Sequence, residues 1–259
     1  MARIHRQELK HDEFIDTFDE LLLYVEDHGR ILALLALSVV LAGGGLGGFY
    51  WYSQRQEVRA QTALNSALIT FQAPIRTGLP PLPGDTSRSF GTEKEKWEAA
   101  IKEFAAVRTD YPRTHAALTA KHYEALSRYQ AGEVDQATKE LDELSRAADR
   151  NVSALAKYHL AEIHESQGHS ADAQKLYRDL AEHPASTVPR ELSQLALADL
   201  VAQSKPEEAR KIYQQLKLDF AGTTVADEVS KRLDLLPPPP PPTPTTPPFN
   251  PPGPDPSPK

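Results

Sequence analysis

Residues 160–180 read LAEIHESQGHSADAQKLYRDL, and the fold follows from what this stretch shares with its neighbours. Ala173, Tyr177 and Leu180 stand at i, i+4 and i+7, one face of a helix, and each belongs to a column spaced by 36 residues. The columns are Ala137, Ala173 and Ala209, then Leu141, Tyr177 and Tyr213, then Leu144, Leu180 and Leu216. A fourth column, Ala125 and Ala161, keeps that spacing once and slips by one residue to Ala198, as a one-residue deletion in a turn would produce. Gly132, Gly168 and, in the third unit, Ser204 ahead of Lys205-Pro206 fall between the two alanine columns. Glycine and proline there mark a turn between two helices, so each unit is expected to be a helical hairpin. Two closely crossing helices need small side chains at the contact, which alanine supplies, while the tyrosines and leucines fill the seam between hairpins.

Working toward the N-terminus, Ala100, Phe104 and Val107 repeat the same face 37 residues before Ala137, Leu141 and Leu144, and Tyr111-Pro112 ends that helix. Its partner is expected in Ser53 to Phe71, where Leu64, Leu68 and Phe71 form a stripe, with a Pro/Gly-rich loop over residues 73–91 inserted between the two. Beyond the third hairpin, Val225 to Leu235 reads as a closing helix over the end of the stack.

Ahead of this region, residues 31–52 read ILALLALSVVLAGGGLGGFYWY, 22 residues without a charged side chain. About 20 apolar residues suffice to cross a bilayer core as a helix, so the stretch predicts a retained transmembrane helix. Phe49, Tyr50, Trp51 and Tyr52 end it with rings that favour the headgroup level. Gly43 with Gly47, and Gly44 with Gly48, form small-xxx-small pairs that let a second helix approach closely in lipid. With no charge inside it, the span offers no ion or proton relay. Residues 1–30 form an acidic leader with eight Asp and Glu, and Phe14, Phe18, Leu21, Leu22 and Val25 recur at helical spacing, a short amphipathic helix. The leader also holds Arg3, Arg6, Lys10 and Arg30, against only Arg55 and Arg59 just past the span. Lys and Arg set orientation and acidic residues count little, which predicts a cytoplasmic N-terminus.

At the other end, 14 of the 22 prolines fall in residues 237–259, a segment with Phe249 as its one large apolar side chain. Such a composition buries no core and predicts a disordered tail. The expected organisation is therefore a leader at 1–30, a span at 31–52, a helical domain at 53–236 and a tail at 237–259, an all-α chain.

The repeat resembles the tetratricopeptide repeat over about Glu93 to Leu236: Leu160-Ala161, Gly168, Ala173, Tyr177 and Leu180 match its small and bulky positions, and Tyr111-Pro112 resembles its terminal proline. The unit is longer than usual, and Arg128, His164 and Val201 replace the aromatic expected in the first helix. By analogy with tetratricopeptide grooves, His122, Leu126 and Tyr129 from one unit and Leu155, Tyr158, Glu162 and Glu165 from the next would face a partner-binding surface. Acidic leader, glycine-rich span and divergent repeats together resemble the bacterial ancillary Sec translocon subunit family. That resemblance implies a single-pass inner-membrane protein whose periplasmic repeats associate with translocon subunits and periplasmic chaperones. The alternative is a structural scaffold for cell-wall or outer-membrane assembly that uses the tail as a spacer.

The chemistry-bearing residues favour binding over catalysis. With no cysteine there is no disulfide, Cys-based zinc site or thiol nucleophile. A net charge of −7 lacks the positive field of a phosphate-backbone binder, so no nucleic-acid partner is expected. His159, His164 and His169 are five apart, which scatters them around a helix. His164-Glu165 begins like HExxH, but Gly168 stands where the second histidine belongs. No nucleophile, base and orienter combination stands out, so no enzyme activity, metal or other cofactor is expected.

Overall fold

The computed structural model describes residues 8–76 and 88–238, with side chains from residue 30 onward except those of residues 32 and 36. The described residues form nine α-helices and no strand, with one isolated bridge between Ile75 and Phe90. In order these are α1 (Glu8–Gln72), α2 (Glu93–Asp110), α3 (His115–Gln130), α4 (Val134–Leu144), α5 (Arg150–Ser166), α6 (Ser170–Glu182), α7 (Arg190–Val201), α8 (Pro206–Asp219) and α9 (Thr224–Leu235). The chain divides into two compact units, Met1–Glu124 and Ala125–Lys259, with the boundary inside α3. That boundary lies within the single domain expected over residues 53–236. The leader's apolar stripe falls on side chains outside the described residues, as do most of the 73–91 loop and almost all of the proline-rich tail.

The first unit is built on α1, whose backbone runs without a break from the leader through the apolar stretch and into the packing against α2. Ala60, Leu64 and Ala67 meet Ala100, Phe104 and Val107 of α2 and Ala116 and Ala120 of α3 in one buried cluster, edged by Leu68 and Phe71. Phe71 lies edge-on to Trp97, Phe104 and Tyr123 at centroid distances of 5.4, 6.2 and 5.3 Å, a favoured aromatic geometry. The base of the loop is closed where the Arg76 amide donates to the Phe90 carbonyl at 2.9 Å. Beside it, the Arg88 guanidinium meets the Glu103 carboxylate at 2.6 Å.

Between α1 and α3 the decisive contact is polar. Both carboxylate oxygens of Glu57 accept backbone N–H groups at the start of α3, from His115 at 2.9 Å and Ala116 at 3.0 Å. The first turn of a helix has amide donors without intrahelical partners and carries a partial positive charge, so an anion is favoured there. The Thr114 hydroxyl completes the cap by accepting from the Ala117 amide at 3.1 Å.

The second unit contains the remaining hairpins, α5 with α6 and α7 with α8, closed by α9. Every member of the four repeat columns is buried: Ala125, Ala137, Ala161, Ala173, Ala198 and Ala209 have no exposed surface, and the leucines and tyrosines expose at most 3 %. The hairpin turns differ in their backbone solution. Gly132 and Gly168 adopt φ of 87° and 78°, the left-handed region that a Cβ disfavours. The third turn instead sets Pro206 at the first position of α8, where its fixed φ suits a helix and its missing N–H costs nothing. Where the usual repeat aromatic is absent, Arg128 is held by Glu133 at 2.7 Å and Glu140 at 3.3 Å. An ion pair thus stands in for ring packing across the α3–α4 turn.

Because Ala173 has no exposed surface and shares the core with Ala161, Ala173→Leu should destabilise by about 1–3 kcal/mol. In thermal unfolding of the full chain followed by circular dichroism, Tm should fall by roughly 2–10 °C. Ala171→Leu, two residues away on the exposed side, should change stability by less than about 0.5 kcal/mol.

Candidate functional site

The residues expected to form a groove do not share one fate. His122 is 3 % exposed, with its ring edge-on to Tyr123 at 5.5 Å. It belongs to the interior, which corrects its placement on an open face: at the middle of α3, helical spacing alone does not separate the packed side from the free one. Tyr129 packs against the cluster around Leu141 and Leu160, and its hydroxyl donates to Ser166 Oγ at 3.1 Å, so it staples α3 to α5. Leu126 is half-buried. Leu155 and Tyr158, on α5, pack their inner edges against the main core and stay partly exposed, while Glu162 and Glu165 are exposed.

Those α5 residues open a polar and aromatic strip that continues across the second unit. Tyr158 meets Tyr177 of α6 edge-on at 5.7 Å, and the Tyr177 hydroxyl donates to Glu165 Oε2 at 3.3 Å. One hairpin further on, the Tyr213 hydroxyl donates to Asp199 of α7 at 2.5 Å. The Arg232 guanidinium of α9 reaches the same carboxylate at 2.7 Å and also pairs with Glu228. Glu162 is hydrogen-bonded to His159 Nδ1 at 2.7 Å. Asp199 and Arg232, and the hydroxyl bonds of the buried Tyr177 and Tyr213, were not foreseen. The signal was available, since a tyrosine that replaces Leu141 in a buried column must find an acceptor for its hydroxyl, and a carboxylate lies on the preceding helix of each hairpin.

The strip's electrostatics follow from this crowding. Burial, then the carboxylates of Glu162, Glu165 and Asp199, push the Tyr158 phenol upward. Burial and then Glu165 push Tyr177 well above the ordinary range, and burial and then the bond to Asp199 do the same for Tyr213. The surface therefore presents one half-buried neutral phenol, Tyr158, beside the exposed carboxylates of Glu162, Glu165 and Asp199, with the Tyr177 and Tyr213 phenols buried beneath. The Tyr158 hydroxyl has no protein partner among the described residues, which leaves it free for one. Aromatic side chains with a polar tip are the residues on which binding energy concentrates.

Two other groups complete the inventory. His164 and His169 bring their rings to 5.9 Å, closer than spacing along one helix predicts, because the Gly168 turn folds the chain between them. Among the described residues no group of three or more His, Asp or Glu is arranged to hold a metal. Gly43, Gly44, Gly47 and Gly48 lie on the exposed surface of α1, with open space where each Cβ would stand. Ala33–Gln72 of α1 contains a stretch long and apolar enough to cross a membrane, with no buried part, compatible with a single-pass membrane protein.

A phenol whose pKa is raised by folding contributes stability that is complete below its unfolded value, 10.0, and is lost as pH rises toward the folded value. As pH is raised from neutrality through about 12, tyrosinate absorbance and loss of helical circular dichroism should appear together. Tyr177→Phe combined with Tyr213→Phe should cost about 0.5–1.5 kcal/mol per lost hydrogen bond at neutral pH, yet move the alkaline midpoint upward.

Residues 24–236 match the tetratricopeptide repeat-like domain family, a region that starts ahead of the apolar stretch and takes in all the repeats. No curated protein and no solved structure matches the chain significantly. Domains of this type mediate protein–protein interactions, and no enzymatic family is indicated. With the match covering most of its length, the chain belongs to the tetratricopeptide repeat-like domain family.

Proposed function

We infer that this chain is a membrane-anchored, non-catalytic adaptor of the bacterial envelope, with residues 31–52 spanning the inner membrane, the leader cytoplasmic and the repeats periplasmic. Its partners on this reading are secretion translocon subunits and periplasmic folding factors. The observation that carries it is the unbroken α1, whose apolar stretch continues as the first packed helix of the repeats. A rigid join of this kind keeps the first packed helices of the repeats at the membrane surface. Tyr158 with the exposed carboxylates of Glu162, Glu165 and Asp199 supplies a partner contact, and Gly43, Gly44, Gly47 and Gly48 supply a close-approach face for a helix within the bilayer. The Lys and Arg excess of the leader supports the orientation.

Protease added to intact spheroplasts should digest the repeats and leave the leader protected; the reverse pattern rejects the orientation. Pull-down of the full chain in mild detergent should recover translocon components. Tyr158→Ala and Glu162→Arg should each reduce that recovery about tenfold, the loss expected for a contact worth about 1.4 kcal/mol. A partner set that lacks secretion machinery rejects the translocon assignment. A tail deletion that abolishes assembly of the cell wall while translocon recovery persists favours the scaffold reading instead.

A further inference from the structure

Where α1 leaves its apolar stretch, the α2–α3 corner folds back against it and leaves a cleft. Phe49, Tyr52, Ser53 and Gln56 of α1 form one wall, and Asp110, Tyr111, Pro112 and Arg113 of the corner form the other. The corner cannot swing away without releasing the Glu57 carboxylate from the His115 and Ala116 amides. Glu57 is five residues beyond Tyr52, a rise of roughly 7.5 Å along the helix. The headgroup layer on each side of a bilayer is about 5–7 Å deep. With the span placed as above, the cleft therefore lies within that layer, at the same level as Arg55, whose guanidinium stacks 3.8 Å over the Trp51 ring.

The charges of the cleft are opposite and unspent. Asp110 and Arg113 are both exposed, and neither side chain has an ion-pair or hydrogen-bond partner among the described residues. Phe49, Tyr52, Tyr111 and Pro112 line the same cleft with apolar surface. An anionic headgroup would be opposed by Asp110, and a quaternary ammonium has no N–H to donate to its carboxylate. We propose that this cleft binds a phospholipid with a zwitterionic, primary-amine headgroup, Arg113 holding the phosphate and Asp110 accepting hydrogen bonds from the ammonium. Phe49 and Tyr52 flank the glycerol end of the lipid. The site would fix the height and rotation of the α2–α3 corner over the membrane by a lipid contact in addition to the Glu57 cap. It rests on the span reading of α1.

The test uses the full chain in nanodiscs of phosphatidylglycerol mixed with either phosphatidylethanolamine or phosphatidylcholine, released into native mass spectrometry. One phosphatidylethanolamine per chain should be retained about fivefold more than phosphatidylcholine, the factor of a single charge-assisted hydrogen bond at an open site. Arg113→Ala should lower retention of both lipids, and Asp110→Asn should abolish the preference while leaving the base level. Both positions are on the surface, so Tm should stay unchanged and rule out a folding effect. Equal retention of the two lipids by the unmodified chain, or a preference that survives Asp110→Asn, overturns the proposal. Alkaline carbonate extraction of the source membranes separates the two readings. A chain released into the supernatant overturns the span and the lipid site together; a chain that stays in the pellet without lipid preference overturns the lipid site alone.

Discussion

Two helices can approach closely only where neither places a large side chain between them, and the repeats are organised around that constraint. The column alanines, Ala125, Ala137, Ala161, Ala173, Ala198 and Ala209, have no exposed surface, and the last four share one buried cluster. Close approach there brings the neighbouring leucines and tyrosines into the seam, so Leu180, Tyr213 and Val201 share one core with Ala161 and Ala198. A larger residue at a crossing would push apart not one contact but the hairpin and its two neighbours, because interiors packed to crystal-like density have little slack to absorb it.

A second constraint joins the membrane-compatible helix to that architecture. α1 contributes Ala60, Leu64 and Ala67 to the first core as any repeat helix would, and Glu57 caps α3 with both of its oxygens. The apolar stretch is therefore an extension of a packed helix rather than a tether on a flexible linker. A charge-assisted cap is stronger than a neutral one, and its position so near the last aromatic of the stretch is what brings the α2–α3 corner down beside Tyr52. The position of the cleft follows from that cap together with the buried packing of α1 on α2 and α3.

One core column also recruits polar partners. Leu141, Tyr177 and Tyr213 are equivalent in packing, yet only the tyrosines carry a hydroxyl that must be satisfied at the edge of the core. Glu165 and Asp199 answer that need and in doing so draw carboxylates and phenols into a row that ends at Arg232. Outward placement was legible for Leu155, Tyr158, Glu162 and Glu165, because their i, i+3 and i+4 spacing opposes the buried Ala156, Leu160 and Ile163 on the same helix. It was not legible for His122, whose helix buries residues on several sides, including the charged Glu124, paired with Arg108 at 3.3 Å.

The sequence by itself determined the all-helical class, the hairpin period, the identity of the buried columns and the continuity of an apolar stretch, since these depend on spacing along one chain. Periodicity and turn chemistry are local quantities, and a 36-residue repeat prints them three times. Tertiary structure alone decided which exposed groups meet: Glu57 with the start of α3, Asp199 with both Tyr213 and Arg232, and Asp110 and Arg113 with Phe49 and Tyr52 across a cleft. Such pairings join residues separated by tens of positions. They depend on how far one helix is turned and shifted against another, a matter of side-chain packing in three dimensions that no period along the chain encodes.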